Sequence, residues 1–467
     1  MKYPGPDLMG DVITALMSSG GEYADLFFQD VASTHLEAES GQLERVSKVR
    51  EAGVGLRLIR NGVTHFATAV DLSPRNLLDL ASRLASDAGR EVGFSGISLH
   101  SVPGGILPPG EDPSTITLDE KGRFMMRAIE SIDGYDKRVV QVKAVYRDSS
   151  AFIRIANSEG TLCEDLRRHG VFLVQVVVSD GEHFQVGYEP VGGIGGYEVF
   201  RNVKPEEVAL IAAKRALVMI EAPEAPSGRM TVVLSSEAGG TMVHEAVGHG
   251  LEADLSGQGL SVYTGKIGEM VASPLVSVVD DPTLPGKRGS FNVDDEGTPA
   301  GKTVLVREGV LLGYLSDRLS GLRDGIPLTG NGRRQSFRHW PIPRMSNTII
   351  EPGDHDPGEI VRSVHRGLFV RKMGGGQVNT VTGDFVFEVS EGSMIREGEI
   401  AEPVRGATLA GNGPEVLKSV DMVGNDLGFG IGTCGKEGQG VPVSDAQPTF
   451  RIPEMVVGGR DSGEVAS

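Results

Sequence analysis

Residues 241–250 have the sequence TMVHEAVGHG, which places His244 and His249 on either side of Glu245. Two imidazoles can bind one zinc ion, and a carboxylate beside them can act on the water that the ion holds. In the familiar His-Glu-x-x-His pattern, the histidines lie four residues apart on one face of a helix. The stretch therefore indicates a metal-dependent hydrolase, and the alternative is an exposed helix whose His and Glu are simply solvated.

The two histidines are one residue further apart than in that pattern. On a regular α-helix, residues at i and i+5 point about 140° from each other, so they could not bind one ion. A π-bulge would bring the two positions back into line, and such bulges recur at functional sites. Gly248 lowers the steric resistance to that distortion. We therefore predict a bulged or kinked helix over residues 243–250.

A third ligand has to come from elsewhere, because a catalytic zinc typically has three protein ligands and one open position. The chain has two cysteines, Cys163 and Cys434. Cys434 lies in GFGIGTCGKEGQG at 428–440, which we interpret as a loop whose glycines allow close backbone approach. Nearby Lys436 would favour the thiolate that binds metal. Cys163 precedes two carboxylates that disfavour a thiolate, so we interpret it as an inert thiol at the start of a strand.

Several motifs in order resemble those of one family. They are HEAVGHGLEAD at 244–254, GNGRRQS at 330–336, PRMSNT at 343–348, GNGP at 411–414 and TCGKEGQGVPV at 433–443. Together they resemble the TldD-type subunit of the TldD/PmbA (TldE) metalloproteases, over essentially the whole chain. The resemblance implies that His244, His249 and Cys434 are zinc ligands and that Glu245 is the catalytic carboxylate.

The same resemblance implies a function and a partner. Family members cleave unfolded or flexible peptides and act as heterodimers with a TldE/PmbA-type partner subunit, which lacks the His-Glu residues, although self-association is also open. We therefore expect a zinc-dependent metalloprotease in which zinc activates a water and Glu245 is the general base. Two alternatives stay open: a zinc hydrolase of non-peptide amides, and a non-catalytic binding or assembly subunit that zinc stabilises.

Substrate contacts are harder to place from the sequence. A basic run at 333–339 precedes Arg344 and Asn347, and we predict that Arg334, Arg344 and Asn347 bind substrate carboxylates or carbonyls. A solvated or subunit-facing patch would have the same residues. Glu252 and Asp254 follow the second histidine and would either orient the metal ligands or solvate a helix end.

A nucleotide cofactor is not expected, although GIGTCG at 430–435 satisfies G-x-G-x-x-G. A phosphate-binding loop needs Ser or Thr after its Lys, and Glu437 stands there instead. Both phosphate motifs also need a following helix, which Gly438, Gly440 and Pro442 oppose. Zinc is therefore the one cofactor that the sequence predicts.

Composition sets outer limits. The chain has 467 residues, which exceeds a usual single core, and 39% of them are hydrophobic. No apolar run reaches the roughly 18 residues that suggest a membrane span. The net charge of −18 opposes direct nucleic-acid binding, which depends on clustered Lys and Arg. The polar N-terminus and the two isolated cysteines fit a cytoplasmic protein without disulfides.

Hydrophobic periodicity predicts an α+β fold. An N-terminal α/β-type region of mixed helices and strands precedes a mostly antiparallel β domain that carries the metal-binding helix. Predicted helices lie at 7–18, 77–88, 118–132 and 205–219. Predicted strands lie at 23–30, 54–59, 139–145, 151–156, 171–179, 230–234, 275–279, 303–306, 368–371 and 384–389. Pro- and Gly-rich stretches at 101–113 and 221–228 suggest units at 1–100, 101–225 and 226–467.

Overall fold

A computed structural model of the chain describes residues 3–89, 94, 96–102 and 107–459. The fold is α+β with mostly antiparallel strands, which confirms the predicted class. Most strands belong to three sheets, one in the N-terminal part and two in the C-terminal part. Within the described residues, no helix is long and apolar enough to cross a membrane.

The N-terminal sheet has seven strands in the order β3-β2-β1-β5-β6-β4, and β7 also pairs with β6. Its strands are β1 Tyr23–Glu39, β2 Gln42–Arg60, β3 Val63–Ala69, β4 His100–Ser101, β5 Val139–Asn157, β6 Thr161–Ser179 and β7 Phe184–Ile194. Asn61 and Gly62 form the hairpin turn between β2 and β3, with φ of 52° and 70°. The predicted strands 139–145 and 151–156 form a single strand, because pairing with both neighbours continues between them.

Four predicted helices are confirmed, and all pack on this sheet. They are α1 Pro6–Met17, α2 Pro74–Ala88, α3 Leu118–Glu130 and, after the short α4 Glu198–Arg201, α5 Pro205–Glu221. Helices α1 and α2 share one apolar core with the sheet, and α3 and α5 share another. Local signals fix the ends: Thr117 Oγ1 accepts from the N–H of Glu120 at 3.1 Å, and Pro205 begins α5.

The C-terminal part contains a six-stranded sheet in the order β11-β10-β9-β14-β21-β20. Its strands are β9 Val278–Asp280, β10 Thr303–Arg307, β11 Val310–Leu311, β14 Asn347–Ile350, β20 Gly428–Lys436 and β21 Gln439–Gln447, and a separate pair is formed by β12 Gly332–Arg333 and β13 Ile342–Pro343. Strand β20 is an edge strand of the six-stranded sheet.

The third sheet has seven strands in the order β15-β8-β22-β18-β16-β17, and β19 pairs with β22. Its strands are β8 Gly228–Leu234, β15 Arg366–Val378, β16 Asp384–Arg396, β17 Glu399–Val404, β18 Thr408–Asn412, β19 Met422–Val423 and β22 Phe450–Gly458. An additional pairing of β15 with β16 closes five of these strands into a ring. Five short helices complete this part: α6 Thr241–Val243, α7 Ala253–Ser256, α8 Arg318–Asp324, α9 Pro357–Arg362 and α10 Gly413–Ser419.

The histidine-bearing segment follows β8 and lies in the core of the C-terminal part. Its apolar side chains Val243 and Val247 are buried in one cluster with Val278 of β9 and Leu368 of β15. Both C-terminal sheets therefore hold this segment in place. The strands of residues 23–69 and 139–194 share one sheet, which joins the proposed units 1–100 and 101–225. Residues 103–106 of the predicted boundary lie outside the described residues.

Candidate metal centre

The histidines lie on a π-helical turn. Residues His244–Gly248 form a π-helix between α6 and a 3₁₀ turn at His249–Leu251, and the N–H of His249 donates to the carbonyl of His244. This confirms the predicted bulge. The two imidazole rings lie 5.1 Å apart between centroids and are nearly perpendicular, so residues at i and i+5 reach the same point.

Two buried side chains, those of Met345 and Tyr263, contact this π-turn directly. A Cβ on Gly248 would lie 2.0 Å from Sδ of the buried Met345, so only glycine lets that side chain pack here. The π-turn also changes the backbone hydrogen-bond pattern, and the hydroxyl of buried Tyr263 donates to the carbonyl of Ala246 at 3.3 Å. The distorted turn is therefore held by specific neighbours.

Cys434 completes the cluster from the edge strand β20. Its Sγ lies 3.4 Å from Nε2 of His249, and the candidate ligand atoms of His244, His249 and Cys434 all lie within 4.8 Å of one another. The prediction that residues 428–440 form a loop is wrong, because residues 428–436 pair with residues 439–447 and only Glu437 and Gly438 form the turn between the two strands. Their glycines do allow close approach: a Cβ on Gly430 would lie 2.7 Å from the carbonyl oxygen of Gly239.

Carboxylates orient both imidazoles. Nδ1 of His244 lies 2.7 Å from Asp445, and Nδ1 of His249 lies 2.9 Å from Glu252. An ionised carboxylate only accepts, so each Nδ1 carries a proton and donates it, which leaves Nε2 for a metal ion. The sequence singled out Glu252 for this role but missed Asp445, which comes near His244 because β21 packs against α6.

The two histidines also set the charge of the thiol. Burial alone would raise the pKa of Cys434, but hydrogen bonds with His244 and His249 outweigh burial and lower it to about 6. A thiolate is the form that binds metal. The effect of Lys436 on this thiolate stays a prediction, and its ammonium group pairs with Glu252 at 3.0 Å and Asp254 at 2.7 Å.

Cys163 behaves as the sequence predicts. It lies near the start of β6 and is buried. Burial, followed by the charges of nearby aspartates, raises the pKa of its thiol to about 12. Its thiol is therefore inert at neutral pH.

Glu245 faces solvent beside the cluster. It is half-buried and lines a cleft of about 420 Å³ together with His249, Lys436 and Glu437. No hydrogen bond or ion pair to another described residue holds its carboxylate. Of the carboxylates near the histidines, Glu252 is buried and engaged, whereas Glu245 is free to act on a molecule in the cleft.

The three predicted substrate-binding residues lie inside the protein. Arg344 is fully buried and donates to the carbonyl of Cys434 at 2.5 Å, so it fixes the ligand strand. Asn347 is fully buried and donates to Asp281 and Ser290. Arg334 borders the space between the N-terminal sheet and the C-terminal part, but its guanidinium pairs with Asp25 at 3.0 Å. In this conformation, Arg344 and Asn347 do not reach a substrate.

Two imidazoles and a thiolate around one point, with a free carboxylate on an open cleft, define a metallohydrolase site. Family models agree over three segments of the chain. The PmbA/TldA metallopeptidase domain 1 matches residues 24–88, the central domain matches 111–220 and the C-terminal domain matches 227–459. The chain belongs to the PmbA/TldD metallopeptidase family, which confirms the resemblance of its motifs.

Individual relatives cover nearly the whole chain. A protein named Metalloprotease TldD homolog from Haemophilus influenzae is 36% identical over 94% of this chain and 93% of its own length. A protein named Metalloprotease from Methanothermobacter thermautotrophicus is 37% identical over 94% and 96%. The crystal structure of TldE from Thermococcus kodakarensis covers 97% of this chain and 100% of its own, with a TM-score of 0.77. At 17% identity, that similarity concerns the fold alone.

Proposed function

We propose that this chain is a zinc-dependent metalloprotease that cleaves unfolded or flexible peptides at the His244, His249 and Cys434 cluster. One observation carries the proposal: three ligand atoms within 4.8 Å of one another adjoin a free carboxylate on an open cleft. Membership in a metallopeptidase family supports the same reaction class.

Zinc fits the donor set better than other common ions. Two imidazole nitrogens and one thiolate suit a borderline-soft ion, whereas magnesium and calcium prefer oxygen ligands. Three protein ligands also leave the open position that a catalytic zinc needs. The acceptors Asp445 and Glu252 fix the ring orientations, as carboxylates do for zinc-binding histidines elsewhere.

The chain's own residues then account for proton transfer. Zinc bound at the cluster would supply a Lewis acid, which lowers the pKa of its water to about 7 and polarises the scissile carbonyl. Glu245 would take a proton from the attacking water as its oxygen bonds to the carbonyl carbon. The same carboxyl would give that proton to the leaving nitrogen as the carbon–nitrogen bond breaks.

The position of the ligand strand favours an extended substrate. Cys434 lies on β20, an edge strand, and edge strands bind peptides by adding one more strand through main-chain hydrogen bonds. The cleft beside Glu245, at about 420 Å³, is also small compared with a folded domain. An unfolded or flexible peptide can present an extended backbone there, whereas a folded protein cannot without local opening.

A companion subunit is part of the proposal. TldE from Thermococcus kodakarensis has the same fold as this chain, and we propose a TldE/PmbA-type heterodimer or self-association for full activity. Assays therefore need the chain alone and with such a partner.

The test combines metal content with proteolysis. Zinc is measured by elemental mass spectrometry in the wild type, Cys434→Ser and His249→Ala, and Cys163→Ser serves as the matched cysteine control. We expect one zinc per wild-type chain, lost with peptide cleavage in the two site variants and kept in the control. Cleavage of small amides but not peptides, or zinc held by four protein ligands, would contradict the proposal.

A further inference from the structure

A second cavity of about 520 Å³ lies between the N-terminal sheet and the C-terminal part. One wall is a single face of the sheet, where alternating residues such as His35, Arg147 and His169 line the space. The opposite wall includes Ile431 and Thr433 of β20, whose side chains alternate with the ligand Cys434. The cavity therefore lies against the strand that carries the metal ligand.

This cavity is positively charged in a protein whose net charge is −18. Its charged lining residues are Arg147, Arg167, Arg288, Arg333, Arg334, Asp148 and Asp295. Both aspartates are already neutralised, Asp148 by Lys121 at 2.5 Å and Asp295 by Arg167 at 2.7 Å. More arginines than carboxylates therefore line the cavity, and the surplus arginines give its surface a positive charge.

Arg333, which also has no carboxylate partner among the described residues, is buried and donates to the carbonyls of Met345 at 2.5 Å and Pro442 at 2.9 Å. Arg147 and Arg288 therefore carry the excess charge that a ligand could neutralise. In the part of the chain that the structure describes, neither forms an ion pair with a carboxylate. Arg288 is held beside the metal-ligand strand, because its Nε donates to the carbonyl of Gly432 at 3.1 Å. Burial and then the charge of Arg147 lower the pKa of the Arg288 guanidinium to about 10, as expected where two cations lie close without an anion.

His169 adds a second, independent observation. It pairs with Ser149 of β5, which is two residues beyond Arg147, so its side chain lies on the same face of the sheet as that of Arg147. Its Nδ1 is buried and has no hydrogen-bond partner among the described residues. An orphaned polar atom beside unpaired guanidinium groups indicates a polar ligand.

We propose that this cavity binds a carboxylate of the peptide substrate through Arg147 and Arg288. The inference rests on the proposed function, because it places the carboxylate on a peptide that lies along β20. Guanidinium groups bind carboxylates through paired, charge-assisted hydrogen bonds. The carboxylate belongs either to a Glu or Asp side chain or to the C-terminus of the peptide.

Calorimetric titration of the Glu245→Gln chain tests this site without cleavage. The probe is a short neutral peptide with an amidated C-terminus, compared with the same peptide carrying one Glu in place of Gln at each position in turn, and with its free-acid form. We expect at least one carboxylate to tighten binding roughly tenfold at low salt, with a smaller gain at high salt. A gain from Glu identifies a side-chain carboxylate, and a gain from the free acid identifies the C-terminus.

Variants in the same Glu245→Gln background assign the gain to the cavity. Arg147→Gln, and separately Arg288→Gln, should remove it, whereas Arg75→Gln, an exposed arginine on α2, should keep it. Zinc content and circular dichroism show whether each variant still folds. No gain from any carboxylate, or a gain that survives both variants, overturns the inference. If the wild type still cleaves the neutral peptide, the proposed function stands without the carboxylate site. If a carboxylate tightens binding but no peptide is cleaved, the carboxylate site stands and the proposed function is wrong.

Discussion

Glu245 and Glu252 lie near the same histidines but differ in what their carboxylates contact. Glu252 is fully buried, accepts from Nδ1 of His249 and pairs with Lys436. Glu245 is half-buried in the open cleft. A carboxylate that is already held by an imidazole N–H and an ammonium group orients a ligand, and a free one exchanges protons. Glu245 is therefore the residue whose substitution should separate catalysis from metal binding.

We expect Glu245→Gln to lower kcat for a flexible peptide by roughly 10²- to 10⁴-fold, because it removes the general base. Its zinc content should not change, since Glu245 is not one of the three clustered ligands. Peptide cleavage and elemental mass spectrometry measure the two effects. Glu437→Gln is the matched control, because Glu437 lines the same cleft. Wild-type activity in a zinc-loaded Glu245→Gln chain would contradict the role.

Substitution of Asp445 measures how much the fixed orientation of the His244 imidazole contributes to zinc affinity. Asparagine keeps the shape but loses the charge that accepts from Nδ1 of His244. We expect Asp445→Asn to weaken zinc binding roughly 10- to 100-fold, as for other carboxylates that hold metal-binding histidines. Competition with a chelator of known affinity measures the change. Asp133→Asn, an exposed residue far from the cluster in sequence, should bind zinc like the wild type, and an equal affinity for Asp445→Asn would refute the prediction.

The sequence predicted His244, Glu245, His249 and Cys434 because each lies in a motif that spacing or family resemblance exposes. It could not predict Asp445, since nothing local links that residue to a histidine about 200 positions earlier. Arg344 shows the opposite error. Its type suggested a substrate contact, but only the packed structure reveals that its guanidinium is buried against the backbone of Cys434.

The π-turn depends on the absence of one side-chain carbon. The φ of Gly248 is −56°, which any residue adopts, so its requirement is steric and comes from Met345. We expect Gly248→Ala to destabilise the fold by about 1–3 kcal/mol, as overpacking does, and to reduce zinc content. Urea unfolding and elemental mass spectrometry measure both.

Two further variants test whether the clash with Met345 causes the loss of stability in Gly248→Ala. Gly122→Ala lies in α3 with open space at its Cβ, so it should be neutral or stabilising. The double variant Gly248→Ala/Met345→Ala should lose less stability than the sum of its single variants, because removing the sulfur relieves the clash. Strict additivity would show that the clash with Met345 is not the cause.

Elements were predictable where one local signal dominates. The four amphipathic helices of the N-terminal part have clear periodicity, and the structure places them within a few residues of the expected ends. Strand β20 was not predicted by the same reasoning, because its segment is rich in glycine and glycine is usually depleted in strands. Here pairing with β21 and close approach to the turn near Gly239 override that tendency, and neither is visible in a single segment.

A buried ionic network joins the N-terminal sheet to the C-terminal part. Arg57 of β2 pairs with Asp25 of β1 at 2.6 Å and with Glu296 of the C-terminal part at 2.5 Å, and all three side chains are fully buried. Removing one partner leaves uncompensated charge in a low-dielectric interior. The network should therefore control how firmly the two parts are attached.

We expect Arg57→Met to lower the free energy of unfolding by about 3–5 kcal/mol, because it removes the cation that pairs with buried Glu296 and leaves Asp25 with Arg334 alone. Arg83→Met is the matched control, since Arg83 forms an exposed pair with Asp79 that contributes at most about 0.5 kcal/mol. Urea denaturation followed by circular dichroism gives both values. Similar small losses in the two variants would show that the buried network adds little.

The candidate metal cluster brings together two segments that lie far apart in the chain. His249 and Cys434 are 185 positions apart, and the ion can bind both only when the six-stranded sheet packs on the π-turn. The proposed zinc ion would therefore bind the folded chain more tightly than the unfolded chain and stabilise it by mass action. A hundredfold excess of free zinc over its dissociation constant contributes about 2.7 kcal/mol, which corresponds to a shift of roughly 5–11 °C in Tm for a unit of about 150–250 residues.

We therefore expect a chelator to lower the Tm of zinc-loaded wild type, measured by scanning calorimetry with the metal content of the sample determined first. The Cys434→Ser chain should melt at the lower temperature with or without the chelator, because it lacks the third ligand. An unchanged Tm in a chain that began fully loaded would mean that folding and zinc binding are not linked. The unfolded chain would then bind zinc as tightly as the folded chain does.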